Sequence, residues 1–160
     1  NVSPEDFRKF MSNRYKCYFT CFIMNFYVDS CIYLNLWKSE SKKGVRFWKI
    51  SEDFFEKASC GIIYYSGFIL KELTYALATR EFLEKRKVFN TPRFMRVFPA
   101  QVDYELARRL ELEANFEISF FDCMHIVLTK KLGAILITRD RKLIEFAKKY
   151  CEVCRPEEML

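Results

Sequence analysis

The chain is predicted to be an α/β domain of three layers, α/β/α, with a central parallel sheet of four to five strands. Three observations predict it. Short apolar runs at 25–28, 61–65 and 134–137 lack polar alternation, as strands covered by helices on both faces do. Stretches of helical period lie between these runs, and strands alternating with helices imply a parallel sheet. The 160 residues are 51% hydrophobic and include 17 phenylalanines, enough for a substantial core and too apolar for disorder.

Taken in order, residues 1–23 read as an N-terminal extension to a single domain spanning 24–160. Within them Ser3-Pro4-Glu5-Asp6 is a helix start, Phe7, Phe10 and Met11 a short apolar stripe, and Met24 the expected start of the domain. The strand at 25–28 runs into Asp29-Ser30. A helix over 31–38 offers Ile32, Leu34, Leu36 and Trp37 for packing, and the polar stretch 39–45, with Gly44, is a loop. Ser51-Glu52-Asp53 carries the first-turn acids of a helix start. The second strand, 61–65, is followed by Ser66, a good N-cap for a helix from 67 to about 84. On that helix Ile69, Leu73, Ala76 and Leu77 form the core stripe, with Glu72 at its border. Thr91-Pro92 breaks the chain before a short third strand at 93–97. The helix over 101–113 is expected to bury Val102, Leu106, Ala107 and Leu110.

The run 121–140, FDCMHIVLTKKLGAILITRD, is the most informative. Asp122 opens a helix on which Asp122, His125 and Thr129 share a polar stripe and Cys123, Ile126 and Val127 an apolar one. Gly133 ends it, because only glycine enters the left-handed cap conformation cheaply. The buried strand 134–137 follows, closed by Thr138-Arg139-Asp140. A helix over 141–149, a last strand around Glu152-Val153 and a tail from Pro156 complete the chain, with right-handed crossovers throughout.

Lys and Arg outnumber Asp and Glu by 27 to 21, a net charge of +6 that is compatible with a polyanionic partner. Seven cysteines without a secretory pattern fit reduced thiols in a cytoplasmic compartment. The apolar run 17–28 is shorter than the roughly 20 residues that span a bilayer and lacks a small-residue cleavage site, so no membrane role is expected. The single histidine, His125, argues against Ser/His/Asp hydrolysis and against zinc hydrolases built on several imidazoles. His125 either bonds a phosphate or Asp122, or is a satisfied core histidine, the more ordinary role. Zinc held by Cys17, Cys21, Cys151 and Cys154 is disfavoured. Strand alternation points Cys151 and Cys154 to opposite faces, and neither pair has a glycine knuckle. The basic residues Lys130, Lys131, Arg139, Arg141, Lys142, Lys148 and Lys149 read equally as a phosphate grip or a solvated face, and Arg139 and Arg141, which flank Asp140, are the better candidates for a grip on a phosphate backbone. Phe47, Trp48, Phe54 and Phe55 suit base stacking less than core or dimer packing.

Four acids stand at comparable places: Asp29 and Asp140 at strand ends, Glu72 in the helix after the second strand, and Asp122 at a helix start. Each alone is explained by a cap or a solvated helix face. Together they weigh differently. Strands one and four of a doubly wound sheet are neighbours where strand order reverses, so Asp29 and Asp140 should converge there. Clustered carboxylates resist joint ionisation unless a cation neutralises them, and Mg²⁺ or Mn²⁺ prefers such hard oxygens.

The pattern VDSCIYLNLW, YYSGFILKEL, FDCMHIVLTKKLG and ILITRD resembles that of PIN-domain nucleases, the family that includes VapC-type toxins. The resemblance covers residues 24 to about 158, including the tail CEVCRPEE. By resemblance, Asp29, Glu72, Asp122 and Asp140 match the family's metal-binding acids, and Ser30, Ser66 and Thr138 the small hydroxyl residues beside them. Asp29 and Asp122 are then the first choices as direct ligands, with Asp140 and Glu72 acting through water or orienting the nucleophile. The extension before Met24 and the aromatic-rich insert 38–59 depart from the family pattern, which bears on the substrate groove and assembly. The resemblance implies a metal-dependent endoribonuclease acting on single-stranded RNA with one or two Mg²⁺ or Mn²⁺ ions. It further implies a possible small antitoxin partner and a homodimer or higher homo-oligomer. A non-catalytic RNA-binding or assembly module on the same scaffold is the alternative, disfavoured because a retired site need not keep mutually repelling acids. A phospho-aspartate receiver domain would want an acidic pair at the first strand and a lysine at the last, and in this chain neither is where it should be.

Overall fold

Five parallel strands form the central sheet of the computed structural model, which describes residues 24–160. The expectations for residues 1–23, including the helix start at Ser3 and any role of Cys17 and Cys21, lie outside the described residues. The chain begins with β1 (Phe26–Val28) and α1 (Ser30–Trp37), then a hairpin of β2 (Ser41–Lys42) and β3 (Val45–Arg46). There follow α2 (Phe47–Lys57), β4 (Ile63–Ser66), α3 (Gly67–Ala76) and α4 (Thr79–Lys85). The second half holds β5 (Phe94–Val97), α5 (Gln101–Glu113), α6 (Phe120–Leu132), β6 (Ile135–Ile137), α7 (Arg141–Ala147) and β7 (Glu152–Cys154).

The strand order is β5-β4-β1-β6-β7, so order reverses at β1, whose two neighbours are β4 and β6. Tyr27 pairs with Tyr64 on one side and Leu136 on the other. The ladder runs one residue past each strand: the Asp29 N–H donates to the Ile137 carbonyl at 2.9 Å, and Thr138 N–H to Cys154 at 3.2 Å. That register sets Asp29 beside Thr138. Helices flank the sheet on both sides, as expected, and Ile32, Ile69, Leu73, Ile126, Leu128 and Leu136 are fully buried between the layers. Each such side chain stabilises the fold by about 1.5–3 kcal/mol relative to exposure.

Local chemistry explains the element ends. The Ser66 hydroxyl accepts the Phe68 N–H at 3.2 Å to start α3. Gly133 ends α6 at φ +58°. Four expectations need correction. The helix expected from 67 to about 84 breaks at Leu77, which is extended. A straight continuation of the Leu73–Leu77 stripe would bury Arg80 and Glu84, whereas the break lets Phe82 turn inward instead. The stretch 39–45 is not a plain loop, because Lys43 (φ +50°) and Gly44 (φ +79°) make a two-residue turn between β2 and β3. The helix expected to start at Ser51 starts at Phe47, with Ser51 buried inside it.

The fourth correction concerns α5. Val102 and Leu106 are 55% and 42% exposed, and the buried stripe is Asp103, Ala107 and the half-buried Leu110. Asp103 is tolerated there because its carboxylate accepts the Ala100 N–H at 2.7 Å and the Lys131 ammonium at 2.6 Å. Burial pushes the Asp103 pKa up, but these two partners outweigh it and hold the carboxyl below its usual range. A depressed pKa contributes stability above the unfolded value and loses it as pH falls through the folded one. Asp103→Asn is therefore expected to cost about 1–3 kcal/mol at neutral pH. In urea melts its deficit against the parent should shrink as pH falls below the ordinary carboxylate range. A deficit independent of pH would contradict this.

Candidate functional site

The site lies at the carboxyl ends of β1, β4 and β6, where strand order reverses and ligands gather in open α/β sheets. Asp29, the residue after β1, is 6% exposed and held by three donors. Thr138 donates to its Oδ2 at 2.6 Å, the Cys31 thiol to the same oxygen at 3.0 Å, and Ser30 to Oδ1 at 3.3 Å. The thiol is the donor because burial, with Asp29 beside it, pushes the Cys31 pKa well up.

Glu72 comes from the second turn of α3 and meets His125 of α6, whose Nε2 lies 3.3 and 3.2 Å from the two carboxylate oxygens. A carboxylate only accepts, so Nε2 carries the hydrogen. The other ring nitrogen, Nδ1, lies 3.0 Å from the Tyr27 hydroxyl, which is 2.7 Å from Ser66 Oγ. Ser66, Tyr27, His125 and Glu72 thus form one continuous polar chain through the apolar core. Burial alone would lower the His125 pKa; the bond to Glu72 and the charges of Glu72, Asp29 and Asp122 outweigh it, and the pKa is raised.

Asp122 lies within the first turn of α6 rather than opening it. Ser119 is the N-cap: its hydroxyl accepts the Asp122 N–H at 3.1 Å and donates to Asp122 Oδ2 at 2.6 Å. Burial raises the Asp122 pKa, Ser119 and His125 draw it down, Asp29 and Glu72 push it up, and the net is upward. Asp122 is thus within electrostatic reach of both carboxylates.

One ligand atom each from Asp29, Glu72 and His125 lies within 4.8 Å of the others, a spacing that a single cation can bridge. With Nε2 turned to Glu72 and Nδ1 to Tyr27, His125 positions Glu72 rather than ligating, and the carboxylate oxygens left as donors suit Mn²⁺ or Mg²⁺ rather than the sulfur and imidazole sets that zinc sites favour. Asp140 is exposed and accepts the Leu143 N–H at 3.1 Å, capping α7, and its own N–H bonds Thr138 Oγ1 at 3.1 Å. Its carboxylate is outside the group formed by Asp29, Glu72 and His125. Arg139 donates to Asn35 at 2.8 Å and Glu157 at 2.9 Å and lies over the Phe47 ring; Arg141 donates to Glu145 at 3.2 Å. Phe54 and Phe55 pack in the core.

Three neighbours of the acids are absent from the sequence expectations or differ from them. His125 is a satisfied core histidine, as its ordinary role requires, but its partner is Glu72 rather than Asp122. Its spacing one turn after Asp122 is the legible part. Tyr27 shares a strand face with Asp29, two residues on, and a buried tyrosine hydroxyl needs a partner. Cys31 carried no signal beyond its place two residues after Asp29.

A parallel α/β sheet with carboxylates converging at its topological switch point defines the class of protein. The chain belongs to the PIN-domain family, whose model matches residues 26–149. PIN domains are generally nucleases and typically use divalent metals. No curated protein matches the chain in sequence. Among solved structures it is similar to VapBC2 from Rickettsia felis bound to a DNA fragment from their promoter, at 16% identity and TM-score 0.63 over 82% of this chain and 98% of that one. VapBC-1 from nontypeable Haemophilus influenzae is 16% identical at TM-score 0.59, covering 84% and 99% of the two chains. FitAcB from Neisseria gonorrhoeae is 14% identical at TM-score 0.58, covering 82% and 98%. At these identities the likeness is one of fold. Among the described residues no helix is long and apolar enough to cross a membrane.

Proposed function

We propose that the chain is a Mg²⁺- or Mn²⁺-dependent endoribonuclease that hydrolyses phosphodiester bonds of single-stranded RNA. We read it as the toxin of a VapBC-type pair, restrained by a small antitoxin and acting as a homodimer or higher homo-oligomer in the cytoplasm. The observation that carries the catalytic reading is the convergence of Asp29 and Glu72 with His125, their ligand atoms within 4.8 Å. Family membership and the VapBC-like fold support the rest.

Asp29 and Glu72 would hold the cation, with Asp122 beside them and Asp140 contributing through water from the end of β6. A bound divalent cation supplies a lowered water pKa and neutralises charge building on the phosphate oxygens. Thr138, Cys31 and Ser30 fix the Asp29 carboxylate, so that its lone pairs are aimed before metal arrives. His125, locked by Tyr27 and Ser66, does the same for Glu72. In the hydrolysis a water oxygen bonds to phosphorus as the P–O ester bond breaks; the water gives up a proton to solvent, and the leaving oxygen takes one from solvent. The alternative of a non-catalytic RNA-binding module leaves three acids in mutual electrostatic contact without a purpose.

The test is cleavage of a mixed RNA pool with Mn²⁺ and with chelator. The parent should cut only with metal, and Asp122→Asn should lose at least about tenfold of that activity. Cleavage that persists in chelator, or an Asp122→Asn variant as active as the parent, would remove this site from the reaction.

A further inference from the structure

An electronegative crevice repels a polyanion, so any strand that reaches Asp29, Glu72 and Asp122 needs a positive approach beside them. The arginines nearest in sequence to Asp140 are engaged, Arg139 with Glu157 and Asn35 and Arg141 with Glu145. A different surface is available. Phe68 sits one turn before Glu72 on α3, and Phe121 directly precedes Asp122. Their rings meet edge to face at 4.9 Å. From there half-buried rings continue to the surface: Phe68 lies 6.0 Å from Phe120 and 6.1 Å from Tyr104, itself 40% exposed. The Arg108 guanidinium lies over the Phe120 ring at 4.0 Å. Next to Phe68 on α3, Gly67 is met by Arg96 of β5, whose guanidinium nitrogen lies 3.5 Å from where a Cβ on Gly67 would stand. The same guanidinium lies over Phe98 at 4.8 Å, and Phe98 is 69% exposed.

We propose that this strip, from Phe98 and Arg96 across Phe68 to Phe120 and Arg108, is where a single strand of RNA stacks its bases on its way into the acid crevice. The proposal rests on the ribonuclease reading for the identity of the strand. Single-strand sites combine these two ingredients: rings that accept any base face, and cations that follow the phosphates. Among the described residues Arg96 has no ion-pair partner, so its charge is available to a phosphate. Arg108 is paired with Glu111 at 2.7 Å and serves mainly to frame Phe120. Phe98 offers a largely exposed ring beside a guanidinium, the pairing on which a base can stack while its phosphate meets the cation. The strip also leads to the catalytic acids, since Phe68 and Phe121 adjoin two of them, which favours a substrate strand over a protein partner on this face.

The test is the affinity of the full chain for a labelled oligouridylate of roughly a dozen nucleotides, read by fluorescence anisotropy in chelator over a series of salt concentrations. Phe98→Ala and Arg96→Ala change exposed side chains, and circular dichroism confirms that both variants keep the parent fold. Each should weaken binding about tenfold. Arg96→Ala should also flatten the dependence of log affinity on log salt by about 0.7, while Phe98→Ala leaves that slope unchanged. Binding by both variants equal to the parent overturns the strip and leaves the face to a protein partner. The two readings separate cleanly. A parent that binds through Phe98 and Arg96 but cuts nothing with Mn²⁺ refutes the ribonuclease and keeps the strip. A parent that cuts RNA while both variants bind undiminished refutes the strip alone. A parent that fails to bind the oligonucleotide refutes the strip.

Discussion

Asp29→Asn is expected to cut Mn²⁺-dependent RNA cleavage at least about a hundredfold while leaving the fold intact. The substitution preserves shape: an amide oxygen in place of Oδ2 still accepts from Thr138 at 2.6 Å and Cys31 at 3.0 Å, and the amide NH2 in place of Oδ1 donates to the Ser30 hydroxyl, which turns to accept. What is lost is one negative charge among several. Metal affinity depends on that charge, whereas without metal the remaining acids repel one another less. Thermal unfolding of the metal-free variant should therefore occur within a few degrees of the parent, and Mn²⁺ should no longer raise it. Activity near the parent's would exclude Asp29 from the reaction. A collapsed fold would show that its role is structural.

The second large effect is expected at His125. This side chain is fully buried, with one nitrogen on Glu72 and the other on Tyr27. His125→Ala opens a cavity, leaves the Tyr27 hydroxyl with Ser66 alone, and frees Glu72 to reorient. The expected loss is about 3 kcal/mol, roughly 10 °C in Tm for a chain of this size. Tyr27→Phe interrupts the same polar chain without a cavity and should cost about 1–2 kcal/mol. If the two substitutions cost the same, the cavity contributes nothing and the hydrogen bonds account for the whole effect. If neither moves Tm, the chain from Ser66 to Glu72 has no stabilising role.

Much of this architecture was legible because it rests on short-range chemistry. Ser66 caps α3 and Gly133 closes α6 by rules that involve only neighbouring residues, and the unbroken apolar runs around Tyr27 and Leu136 announce a buried parallel sheet. The pairing of β1 with β6 followed from the switch point. The remainder depends on contacts far apart in sequence. The buried face of α5 is hidden in the sequence because a charged residue, Asp103, sits on its stripe, and its acceptability depends on Lys131, distant along the chain. The break at Leu77 has no glycine or proline to announce it and reflects the competing burial of Phe82. The acids were visible singly; that Glu72 meets His125 rather than a solvated surface required the packing of α3 against α6. The two strand-end acids, which look alike in the sequence, differ in three dimensions: Asp29 is buried among donors, whereas Asp140 is exposed and caps α7.

Calorimetric titration of Mn²⁺ into the metal-free protein, with Asp29→Asn in parallel, addresses the site directly and needs no knowledge of the RNA. Heat from one or two ions binding the parent at roughly millimolar affinity or better, absent in the variant, is the predicted result. No heat from the parent at that concentration, or identical isotherms for the two proteins, would contradict a metal centre built on Asp29.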